Sequence, residues 1–288
     1  VRTVAEIVPG APASTLIATT ENIDGRVLAY AQKHQMTPDE YKAAALDSIQ
    51  RGVANAQVGI RIRPGGLEAF LNDGRYKTQF ETGTSGGLLS NALRADAEYQ
   101  MFGYPSTMDA GLRPVYGYLI GSADETGQIG MGYGDILLKM KSATNARTTF
   151  SLSDSLGYGR AGGLEPPSLL DPTLRAWPPG TDPVEANGVL RKLTNGEYVE
   201  TQIHGGVNVS DIEEVFFSAE KEQEAITDTE YRARIAEEAV ARGGDANFAA
   251  EMRARADAVA AYGDQLRAQL DAMGIPWRVL DSFADLTS

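Results

Sequence analysis

The residues best suited to chemistry lie close together, between Gly196 and the pair Gly205-Gly206. Read as a strand, this alternating stretch projects Tyr198, Glu200, Gln202 and His204 from one face and Val199, Thr201 and Ile203 from the other. It carries one of only two histidines in the chain, and its Gly-Gly step lets backbone or ligand approach closely. Two readings fit the row: the wall of a cleft, or an edge strand with a polar outer face. A carboxylate such as Glu200 paired with a second, such as Glu81, is also the equipment of glycoside-type hydrolysis, if the fold brings the two together.

Two further stretches bear on binding. In Val58-Gly59-Ile60-Arg61-Ile62-Arg63, the arginines alternate with isoleucines and fall on the non-core side. There they either form a solvated edge or offer guanidinium forks to a phosphate or carboxylate. The run from Arg75 to Gly87 begins as a strand and ends in a hydroxyl- and glycine-rich turn containing Thr82, Thr84 and Ser85. Free backbone N–H groups in such a turn can hold an anion or a nucleotide edge. The spacing matches neither a Walker loop nor a dinucleotide fingerprint.

The surrounding patterns define three segments. Over residues 1–57, an extended Pro/Gly-punctuated arm precedes two helices at about 22–35 and 37–55. The second is announced by Thr37-Pro38-Asp39-Glu40, a cap, a first-turn proline and a capping-box glutamate. Period-two patterning dominates residues 58–217, with strands expected at 58–63, 75–80, 115–120, 135–141, 148–155, 197–204 and 212–217. Short helices are expected at 67–71 and near 88–102, and a Gly/Pro-rich excursion over 157–190 reads as a lid or mobile loop. Residues 218–288 read as charged helices, with a capping box at Thr227-Asp228-Thr229-Glu230, a break at Gly243-Gly244 and a closing strand at Trp277-Arg278-Val279-Leu280. The fold class is therefore α+β, with the 58–217 core between helical flanks.

Bulk properties narrow the function. The 288 residues carry 26 basic and 39 acidic side chains, a net charge of −13, which argues against binding along a nucleic-acid backbone. There is no cysteine, so disulfides and thiolate metal sites are excluded, and two histidines are too few for a histidine-rich metal site. No apolar run approaches the roughly 20 residues that span a bilayer.

The blocks at 76–85, 113–117, 146–150 and 198–205, in that order, resemble a bacterial family of unknown function over roughly residues 58–217 plus the closing strand. More distantly, the succession is similar to the ADP-ribosyltransferase fold, a split β-sheet core with a basic residue on an early strand, hydroxyl residues in the middle and a late glutamate. That resemblance implies NAD as a substrate, held by Arg61, Arg63, Tyr76, Gln79, Thr82, Thr84 and Ser85. Glu200 is then the catalytic carboxylate, Gln202 orients an acceptor and His204 acts as a base. It further implies a small-molecule nucleotide and a protein acceptor as partners, in a bacterial toxin or effector. The departure is Glu200-Thr201-Gln202 where toxin-type members carry Glu-x-Glu, so either Glu197 or Glu200 carries the charge or the activity is lost, and a binding or scaffold protein on the same fold is the alternative.

Overall fold

A computed structural model describes residues 23–53, 57–83, 89–102, 104–121, 133–151, 154–158, 162–163, 182, 184, 198–281 and 283–286. Helices α1 (Ile23–Lys33) and α2 (Pro38–Val53) precede strand β1 (Val58–Ile62). The start of α2 is the expected capping box: the Thr37 N–H donates to Glu40 Oε2 at 2.8 Å, and the Glu40 N–H donates to Thr37 Oγ1 at 3.3 Å.

After β1 come α3 (Pro64–Asp73), β2 (Arg75–Tyr76), α4 (Gln79–Thr82) and α5 (Asn91–Phe102). Then follow β3 (Val115–Leu119), β4 (Ile136–Met140), β5 (Thr148–Ser151), α6 (Ser155–Tyr158), β6 (Gly162–Gly163), β7 (Glu200–Ile203), β8 (Val207–Asn208) and β9 (Ile212–Ser218). The chain closes with α7 (Ala219–Val240), α8 (Ala246–Met273) and β10 (Trp277–Leu280).

Among the described residues, eight strands form one sheet in the order β10-β9-β4-β1-β3-β7-β5-β6, and β2 and β8 pair separately. All pairings in the large sheet are antiparallel except β10 on β9. One sheet face is apolar. Val58, Ile60 and Ile62 of β1, Val115 and Leu119 of β3, Leu138 of β4 and Ile203 of β7 form a single core with Val27 and Ala31 of α1, Tyr41 and Ala45 of α2, Leu67 and Phe70 of α3, and Leu266 and Leu270 of α8. Burying each large side chain of this set contributes about 1.5–3 kcal/mol. All three sequence segments thus feed one core.

The middle of the sheet is where it opens. Strands β1 and β3 pair only at Val58↔Leu119 and Gly59↔Tyr118. At the next position on β3, Gly117, a Cβ would lie 2.3 Å from the Gly59 carbonyl oxygen, so only glycine fits this crossing.

Three expectations need correction. The strand at 75–80 ends after Tyr76, because Thr78 and Glu81 close a capping box that starts α4: Thr78 N–H donates to Glu81 Oε2 at 2.9 Å. The 148–155 run is strand over Thr148–Ser151, but Ser155 begins α6 instead of continuing it. Thr227-Asp228-Thr229-Glu230 starts no helix but sits inside α7, whose actual cap is Ser218, accepting from the Lys221 N–H at 3.3 Å. The break at Gly243-Gly244 stands as expected, with Asp245 capping α8 and Gly274 closing it in the left-handed region at φ 68°. The excursion at 157–190 lies largely outside the described residues.

Candidate functional site

The second face of the sheet is apolar over β4 and β9, where Leu137 and Phe216 pack with Tyr118 and Phe283, and polar across β7 and β5. Register puts Tyr118, Glu200 and Ser151 side by side on β3, β7 and β5, with Tyr116, Gln202 and Thr149 beside them one step along. Both rows share the face of Gly59 and Arg61 on β1. The expected alternation of β7 therefore holds. Val199, Thr201 and Ile203 are buried on the core side.

A cleft of about 670 Å³ opens over the parting of β1 and β3. Its walls carry Arg61, Arg63, Arg75, Lys77 and Arg94, the rings of Tyr76, Tyr116, Tyr118, Tyr133 and Tyr198, and the carboxyls of Asp73, Glu98 and Glu200. A chain of net charge −13 thus concentrates five basic groups in one concavity. Several are held in place. Arg75 is bonded to Glu81, Lys77 is paired with Asp73 at 2.6 Å, and the Arg61 guanidinium lies 3.9 Å over the ring of Phe283.

Glu200 is 4% exposed and lines this cleft. Burial pushes its carboxyl up to about 7, against the opposing pull of the nearby Arg94 charge. Burial does the same to Glu98, also to about 7, although Arg113 Nη1 donates to it at 2.6 Å and the Tyr116 hydroxyl at 3.2 Å.

Behind Glu200 runs a closed series of hydrogen bonds. The Gln202 amide donates to Glu200 Oε1 at 2.8 Å, and its carbonyl oxygen accepts from the Thr149 hydroxyl at 2.8 Å. Thr149 Oγ1 is 3.0 Å from His204 Nε2, and His204 Nδ1 is 2.6 Å from the Tyr104 hydroxyl. Since the Thr149 proton goes to Gln202, Nε2 donates and Nδ1 accepts, which is the neutral imidazole. Burial holds His204 in that form, pushing it down to about 3, with the Arg147 charge adding to the effect. The Phe102 ring stands edge-on, 4.7 Å from the imidazole centroid. The turn that follows has Gly205 and Gly206 at φ 80° and 75°, and Arg147 Nη1 clamps it by donating to the carbonyls of His204 at 2.6 Å and Gly206 at 2.5 Å.

The expected site residues therefore divide. Glu200, Arg61, Arg63, Tyr76, Gln79 and Thr82 line the cleft together. Gln202 and His204 share the strand face but are fully buried and are not part of the cleft wall. Thr84, Ser85 and Glu197 lie outside the described residues. Glu81 is committed to Arg75 and the α4 capping box, and the carboxyls that join Glu200 at the cleft are Glu98 and Asp73. Arg94 and Glu98 were not singled out in the sequence. Their i,i+4 spacing on a short helix was the available signal. Among the described residues no cluster of His, Asp and Glu could hold a metal ion, and no helix is long and apolar enough to cross a membrane.

Fold and site together define an α+β protein with a mostly antiparallel sheet and a basic, tyrosine-lined cleft. The family described as "Protein of unknown function (DUF3626)" matches residues 63–168. That span holds Arg63, Arg94, Glu98 and Tyr116 but neither Arg61 nor the β7 row. The chain is also similar to the Gene 2 protein of Mycobacterium phage D29, 29% identical over 195 residues that cover 62% of this chain and 71% of the phage protein. The Gene 2 protein of Mycobacterium phage L5 is likewise 29% identical, over 196 residues with the same coverage.

Proposed function

We propose that this protein is an ADP-ribosyltransferase-like enzyme that takes NAD as substrate and cleaves its nicotinamide–ribose bond, releasing nicotinamide while an acceptor nucleophile or water bonds to the ribose carbon and gives up its proton. The observation that carries the reading is Glu200, a buried carboxyl on the wall of a cleft that also presents Arg61, Arg63 and several tyrosine rings. Cleaving that bond develops positive charge on the ribose, as in glycoside hydrolysis. A preoriented carboxylate in a water-poor wall is an effective partner for such charge. The arginines supply donors for the pyrophosphate, and the tyrosines supply ring faces for the planar ends of NAD.

Gln202 occupies the place of the second glutamate in Glu-x-Glu, and its amide holds the Glu200 carboxylate from behind. His204 enters only through Thr149 and Gln202. Because Glu200 must be ionised to act and titrates at about 7, turnover rises with pH through that region.

The test is nicotinamide release from NAD by the parent and by Glu200→Gln. Loss of about 3–4 kcal/mol of transition-state electrostatics slows the variant by roughly two to three orders of magnitude. A parent protein that binds NAD and releases no nicotinamide would instead support a binding protein on this fold. The buried amide at Gln202 in place of a second carboxylate favours that second reading.

A further inference from the structure

Among the cations of the cleft, Arg94 stands apart. It projects from α5, is 7% exposed, and its guanidinium carbon lies 3.7 Å over the centroid of the Tyr116 ring. Its Nε and Nη1 have no hydrogen-bond partner among the described residues and are shut off from solvent. Buried donors of a charged group are almost always satisfied, because leaving them bare forfeits hydration with nothing in return. Stacking on Tyr116 fixes the guanidinium plane, so little orientational freedom is lost when an acceptor arrives.

The carboxyls on either side do not supply that acceptor. Glu98 is taken up by Arg113 at 2.6 Å and Tyr116 at 3.2 Å, and Glu200 by Gln202 at 2.8 Å.

We infer that the wall of the cleft at Arg94 is an oxyanion subsite, which receives a phosphate or carboxylate group of the ligand against the guanidinium and the Tyr116 ring. The subsite rests on the reading above for the choice of cleft and names a ligand contact that the reading does not use. Its charge balance suits an anion. Arg94 and Arg113 face Glu98 and Glu200, with Asp154 further off toward Glu200, and both glutamates take up protons at about 7. As pH falls through that range the cluster turns positive, so an anion binds more tightly at pH 6 than at pH 8.

The experiment is calorimetric titration of the full chain with inorganic pyrophosphate and, separately, with malonate. The proteins compared are the parent, Arg94→Gln, Arg94→Lys and, as a control for charge outside the cleft, Arg255→Gln on α8. Deleting a charge-assisted hydrogen bond to the anion weakens binding by about tenfold or more in Arg94→Gln, less in Arg94→Lys, and leaves Arg255→Gln like the parent. Binding of pyrophosphate alone marks a phosphate subsite, and binding of malonate alone a carboxylate subsite. Near-UV circular dichroism checks that each variant is folded; should Arg94→Gln fail that check, Arg94→Lys decides. The inference is overturned if the parent binds neither anion, or if the folded variants bind like the parent. Nicotinamide release separates the two ideas. Release by a parent whose anion binding ignores Arg94 leaves the NAD reading standing and removes the subsite. Arg94-dependent anion binding without any release does the reverse.

Discussion

Two halves of one strand face, two residues apart, have opposite fates. Tyr198 and Glu200 border the cleft, whereas Gln202 and His204 on the same side of β7 are sealed from solvent by Tyr104, Phe102 and the β5 hydroxyls. The outer half keeps a carboxyl that can act on a ligand. The inner half has each polar atom matched to a neighbour and serves to fix that carboxyl in place. A row of chemically able side chains is thus not a row that reaches the cleft. What separates them is whether the element across the sheet covers them.

The contrast can be broken most severely at its buried end. His204→Leu leaves the Tyr104 hydroxyl without its acceptor and the Thr149 oxygen without its donor, and is expected to lower unfolding free energy by roughly 3–5 kcal/mol in urea titrations. The same histidine sets an acid limit. Its folded value of about 3 lies below the ordinary 6.5, so its contribution is present above pH 6.5 and is lost as pH falls toward 3. Imidazole nitrogen shifts at pH 5 should still report a neutral ring at His204.

At the cleft end the sign reverses. Glu200 is raised from 4.5 to about 7, so stability is greatest below pH 4.5 and is lost as pH climbs through 7. Glu200→Gln removes that slope and is expected to gain stability above pH 7, by at most about 3 kcal/mol, while losing turnover. A variant equally destabilised at every pH would mean that the carboxylate is structural rather than strained for function.

Smaller effects sharpen the comparison. Tyr104→Phe deletes one hydroxyl and leaves Nδ1 of His204 unmatched, an expected loss of roughly 1–3 kcal/mol with Glu200 still in place. Far from the site, Thr37→Ala removes the α2 cap and should cost about 1 kcal/mol without altering anion binding. An equal effect on activity from both would erase the distinction between the Glu200 support and ordinary scaffold.

Period-two patterning exposed the core strands and the two faces of β7, because alternation records burial on one side directly. It could not show that Gln202 and His204 are covered. Their cover comes from Phe102 and Tyr104, about a hundred residues away in sequence and brought near by β3 pairing with β7. The 75–80 run misled for a local reason. Its alternation is real, but Thr78 and Glu81 satisfy each other's backbone groups and favour a helical turn. Arg94 escaped notice because a lone arginine on a short helix reads as solvated until its burial is seen. The cleft itself needed the topology, since β1 and β3 are separated by more than fifty residues and meet over only two pairs.

The parallel pairing of β10 with β9 also bears on how the chain folds. Trp277 meets Val215 across an intervening stretch of about sixty residues, a closure whose entropic cost grows with loop length. That stretch is the α7–α8 hairpin, fastened by Arg253 to Glu230 and Glu237 and by Arg267 to Glu222. Its contacts are nearer in sequence than the strand pairing that encloses them, so they form faster. Once the hairpin has closed, β10 is delivered beside β9 and the effective loop shrinks to a few residues. The last strand then adds to the sheet at little further entropic cost, and the pace of completing this edge is set by two helices that are not part of the sheet.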